Sequence, residues 1–72
     1  MSQPPIAELD VVALTVDLPR EGLKRGQVGT VVAVYSPTDF EVEFVDARGH
    51  TFALTTLKAD QLLVLHYDPV AA

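Results

Sequence analysis

Apolar and polar residues alternate strictly over FEVEFV, residues 40–45. Phe40, Val42 and Phe44 share one face and Glu41 and Glu43 the other, the period of a half-buried strand. DARG at 46–49 is turn chemistry ending in glycine. HTFALTT at 50–56 reads as the return strand, with Phe52 and Leu54 on the inner face. Upstream, DVVALTV at 10–16 is rich in β-branched residues and predicts a first strand. Residues 26–35, GQVGTVVAVY, predict a second, and SPTD at 36–39 turns it into the third. LKADQ at 57–61 is too short for a stable helix and fits one 3-10 turn. LLVLH at 62–66 makes a short last strand.

Between the first two strands lies DLPREGLKR, residues 17–25, a loop long for a simple hairpin and expected to fold over a barrel mouth. Gly26 closes it, where a positive φ or close packing is wanted. Gly29 falls inside a strand, where glycine marks a bulge or sharp bend. Five short strands, one long first loop and a 3-10 turn before the last strand predict an all-β chain, a small SH3-like barrel. The barrel is expected over 9–67. Residues 1–8, with two consecutive prolines, read as a flexible arm, and 68–72 as a tail.

Composition narrows the picture. Seventy-two residues make one domain with a thin stability margin. There is no cysteine, so neither a disulfide nor a thiolate metal site is available. No apolar run could span a bilayer, and MSQPPIAELD lacks the pattern of a signal peptide, so the expectation is a cytoplasmic protein away from membranes. Ten acidic against five basic residues give a charge of −5, which opposes general attraction to nucleic acid.

Catalytic chemistry finds little support. The G-x-x-G of residues 26–29 is not a nucleotide loop, and no helix follows to hold a phosphate. Glu41, Glu43 and Asp46 form an acidic ridge, with carboxylates two apart about 7 Å from each other. No cleft is implied there that could separate their pKa values. His50 and His66 lack metal-ligand spacing, and Ser2 and Ser36 sit in an arm and a turn. The expectation is a non-enzyme with no cofactor, no metal and no small-molecule substrate.

Two features point to binding. Arg20, Lys24 and Arg25 place three of the five cations within six residues of the first loop. They could contact an acidic partner, but too few aromatics are free to stack bases. In the last strand Leu62 and Val64 alternate with Leu63 and Leu65, and one small core cannot take both sets. Val11, Ala13, Val31 and Ala33 pose the same question in the first two strands. An apolar excess on a small domain marks an interface. Arg20, Lys24, Arg25, Leu63 and Leu65 are therefore the candidate partner-binding residues, for a protein partner or a second copy of the chain.

Three passages, DVVALTVDLPREGLKRGQVGTVVAVY, EVEFVDARGHTFALTTL and ADQL, resemble a family of small bacterial proteins, domain of unknown function 4926. They cover about residues 10–62. The resemblance implies a small bacterial protein encoded beside a small partner, the setting of toxin–antitoxin or immunity pairs. A looser likeness joins Asp10, Val12 and Leu14 with Gly26, Gly29, Val31 and Val34. It is similar to the RNA- and ribosome-associated SH3-like motif of transcription elongation factors, and implies an RNA-associated role as the alternative. A third likeness, to the photosystem I subunit that helps dock ferredoxin, is architectural alone.

Overall fold

The structure, a computed structural model, describes residues 5–66. The tail expected at 68–72 and the first four residues of the arm lie outside them. Strand β1 (Val11–Leu14) leads into a loop holding a 3-10 turn at Pro19–Glu21. β2 (Val28–Val34), β3 (Asp39–Val45) and β4 (Thr51–Lys58) follow as a meander. A second 3-10 turn, Ala59–Gln61, delivers β5 (Leu62–Val64). The spatial order is β4-β3-β2-β1-β5, antiparallel throughout. Strand number, long first loop and final 3-10 turn follow the SH3-like layout read from the sequence. The sheet, however, is not closed: β4 and β5 are its two edges and share no ladder.

One face of the sheet is the core. Val12, Leu14, Val31, Phe40, Val42, Phe44, Leu57 and Leu62 are buried there, so all five strands contribute. Strict alternation in β3 puts Phe40, Val42 and Phe44 wholly inside, as expected. Leu23 enters from the first loop and Ile6 from the N-terminal segment.

Within the described part of the arm expected over residues 1–8, residues 5–8, Ile6 departs from that expectation. It is buried, and a turn over Ala7–Asp10 ties the segment down. Asp10 Oδ2 accepts the Ala7 N–H at 2.9 Å, and the Leu9 N–H donates to Val31 O at 2.7 Å. The turn holds Leu9 at φ 73°, a left-handed conformation, with its side chain exposed.

β4 corrects a second expectation. An unbroken ladder from the pair Val45–Thr51 would set Phe52 opposite Phe44 and Leu54 opposite Val42, both inward. A register shift at Phe44/Val45 makes Phe52 the extra residue of a bulge, so Phe44 instead faces Ala53 and Val42 faces Thr55. One residue of slip exchanges the faces of everything beyond it. Leu54 therefore stands outside beside Glu43 and is 56% exposed. Phe52 is half-exposed at the rim, its ring centroid 6.4 Å from that of Phe44.

Gly29 is not at a bulge either. The irregularity in β2 lies between Val31 and Ala33. At Gly29 the requirement is space: an added Cβ would lie 2.8 Å from Glu43 O and 2.9 Å from Phe44 Cδ1. Gly26 does have the positive φ expected, 90°.

Candidate partner-binding surface

The first loop is held firmly. Leu18 and Leu23 exchange two backbone hydrogen bonds, at 2.9 and 3.0 Å, and close the 3-10 turn into a knob. Gly22 completes that turn at φ 71°, and buried Leu23 anchors the knob in the core. Asp17 Oδ1 accepts the Arg25 N–H at 2.9 Å, and Gln27 Oε1 accepts the Lys24 N–H at 2.6 Å. The Gly26 N–H returns to Leu14 O at 2.8 Å. Arg20, Lys24 and Arg25 are all exposed on this framework. Beside them is a shallow hollow of about 460 Å³, lined by Asp17, Pro19, Gly22, Leu23 and Lys24.

The outer face of β5, β1 and β2 is the second surface. Register aligns Leu63 with Ala13 and Ala13 with Val28 in one row across the three strands. Leu63 is 53% exposed and Val28 46%. Val11 and Leu65 are half-buried, and the Leu65 N–H donates to Val11 O at 2.8 Å. Leu62 is buried and Val64 packs against the core, so the last strand divides its apolar residues between two faces. The row and the loop adjoin along the chain: Leu14, next to Ala13, bonds both Gly26 and Gln27 at the loop base. Val28 escaped the sequence reading, although its alternation with Gly29 carried the signal. Val31, grouped there with the residues of uncertain face, is fully buried.

The acidic ridge is oriented by neighbouring hydroxyls. Thr56 Oγ1 donates to Glu41 Oε1 at 2.8 Å, and Thr51 Oγ1 to Glu43 Oε2 at 2.7 Å. Asp46 caps its own turn, accepting the Arg48 and His50 N–H groups at 2.9 and 3.0 Å. The His50 ring lies 3.8 Å from Asp46 and is largely in solvent. Among the described residues no group of His, Asp or Glu is arranged to hold a metal ion. None of their helices is long and apolar enough to cross a membrane.

One polar knot was not foreseen. Asp39 accepts hydrogen bonds from Lys58 Nζ, from Ser36 Oγ at 2.8 Å and from Thr38 Oγ1 at 3.2 Å. It ties the β2–β3 turn to the end of β4. The Lys58 ammonium, with the Ser36 hydroxyl next in weight, holds the Asp39 carboxyl below its ordinary pKa. Lys58 is nineteen residues from Asp39, so only the register Asp39–Lys58 reveals the contact.

A search of curated proteins finds no match, and neither does a search of solved structures. The model of one family, described as a domain of unknown function (DUF4926), matches residues 8–64, from the Ala7–Asp10 turn to the end of β5. The chain belongs to that family.

Proposed function

We propose that this chain is a protein-binding module, not an enzyme, whose contact surface is the outer face of β5, β1 and β2. The observation that carries the reading is the row Leu63–Ala13–Val28, whose two ends, Leu63 and Val28, are exposed. An apolar row on a small acidic domain costs solubility unless a partner covers it. Burial of the row supplies affinity, and Arg20, Lys24 and Arg25 on the adjoining loop supply selectivity. The net charge of −5 suits a partner with a basic face, and the loop adds a local patch of opposite sign. The neutralising half of a bacterial toxin–antitoxin or immunity pair, acting in the cytoplasm, fits this pattern and the setting implied by the family resemblance.

The test uses wild type and Leu63→Asp as baits in native-cell lysate, with circular dichroism to verify both folds. A protein retained by the wild type and lost from folded Leu63→Asp supports the proposal. Where an acidic patch of that protein meets the loop, Arg25→Glu should slow association and blunt its salt dependence. Equal retention by wild type and Leu63→Asp refutes the surface. Binding of labelled RNA that disappears on changing Arg20, Lys24 and Arg25 would instead favour the RNA-associated role, for which those exposed cations are the supporting feature.

A further inference from the structure

The two edges of the sheet differ. β5 has three residues, whereas β4 has eight, Thr51–Lys58. Natural edges are blunted by charge, proline, bulges or a covering segment. β4 has no proline, its single charge is Lys58 at its end, and its bulge lies near its start at Phe52. Among the described residues no strand pairs with its outer side.

The hydrogen-bond phase shows which groups that edge offers. The Ala59 N–H donates to Thr38 O at 3.0 Å, which makes Lys58–Asp39 a non-hydrogen-bonded pair. Antiparallel pairs alternate, so Thr55 bonds to β3, whereas Leu54 and Thr56 direct their backbone N–H and C=O groups away from it. Lys58 would be next in that series, but Gln61 Oε1 accepts its N–H at 2.9 Å. Between the bulge and Lys58 the edge therefore presents two complete donor–acceptor sites, Leu54 and Thr56, placed symmetrically about Thr55.

We infer that a second copy of this chain pairs with β4 across a two-fold axis at Thr55. In that register Leu54 of each copy exchanges two hydrogen bonds with Thr56 of the other, and Thr55 meets Thr55. A shift of two residues would match Leu54 with itself and send Thr56 to the bulge. Outward side chains stay opposite outward ones, as a continuous sheet requires. Charge is compatible as well. Lys58, the only charge on the strand, comes opposite the uncharged Phe52 of the other copy, so no like charges meet along the pairing. Glu43 and the other copy's Glu41 stand three strand spacings apart, about 14 Å, beyond the screening length of about 8 Å at physiological salt. An edge contact of this length covers less than the roughly 800 Å² per partner of a standard stable interface, so the dimer is weak and concentration-dependent. It leaves the Leu63 face open on both copies and stands or falls separately from the partner proposal.

The unmodified chain supplies the first test. Raising its concentration from about 10 µM to about 1 mM should double the sedimenting mass and slow amide exchange at Leu54 and Thr56 roughly tenfold. The second uses the absence of native cysteine. Under mild oxidation Thr55→Cys should form a covalent dimer many times faster than Leu63→Cys, because the two-fold brings residue 55 onto itself. A strict monomer over the whole concentration range, unchanged exchange at Leu54 and Thr56, or faster cross-linking at Leu63→Cys would each overturn the inference. The exchange measurement decides the matter even if Thr55→Cys fails to fold.

Discussion

The Phe44 ring lies directly against the backbone of Gly29, so near that a Cβ there would come within 2.9 Å of Cδ1. The same Cβ would meet Glu43 O at 2.8 Å, a backbone atom that cannot rotate away. Gly29→Ala should therefore separate β2 from β3 and cost about 1–3 kcal/mol, the usual range for overpacking. Urea denaturation measures it. A stability equal to wild type would mean that β2 and β3 do not approach this closely.

Phe44 and Phe52 touch but are unequal. Phe44→Ala should cost about 3–5 kcal/mol, most of a total near 5 kcal/mol, and leave the chain marginally stable, with a melt shifted far down towards room temperature. Phe52→Ala removes a half-exposed ring at the rim and should cost clearly less, with a cooperative melt retained. Glu43→Ala should change stability by no more than about 0.5 kcal/mol. Thermal melts of the three variants rank them. Equal losses at Phe44 and Phe52 would restore the unbroken register, with both rings inside.

Asp39 should impose an acid dependence on stability. Its folded-state pKa is lowered, chiefly by the hydrogen bond from Lys58 and then by that from Ser36. Its charged form therefore stabilises the fold at pH above the unfolded-state pKa, and this contribution disappears as pH falls through the folded-state value. Asp39→Asn should be less stable than wild type at neutral pH, and the gap should narrow on acidification. Melting temperatures of both proteins across the acid range provide the check. A gap independent of pH would show that the Asp39 charge adds nothing.

Leu9 holds φ 73° while its side chain stays in solvent. A left-handed leucine costs roughly 1–2 kcal/mol, and glycine would remove that strain while adding unfolded-state freedom. Leu9→Gly should leave stability unchanged or raise it by up to about 1 kcal/mol. Leu9→Val, β-branched, should lower it. Denaturant midpoints for the pair distinguish a strained turn from one that depends on the leucine side chain.

Much of this protein was legible in the order of its residues. Phe40, Val42 and Phe44 alternate with glutamates, and that alternation is enough to orient β3, because a strand with one wet face has a single way to lie. The glycines at 22, 26 and 49, all at positive φ, mark turns that the sequence already placed between strands. The split of Leu62 and Leu63 between core and surface followed from the small volume of the core. The face of β4 did not. It depends on one extra residue at Phe52, which shifts the pairing so that Phe44 faces Ala53, and such a shift is a property of two paired strands. Ile6 could not be assigned to the core either, since its burial depends on a turn held by Asp10 and on the Leu9 N–H reaching Val31 O. The Asp39–Lys58 contact and the free edge sites at Leu54 and Thr56 belong to the same class. They follow from register and hydrogen-bond phase, properties of two strands together that neither strand's sequence contains.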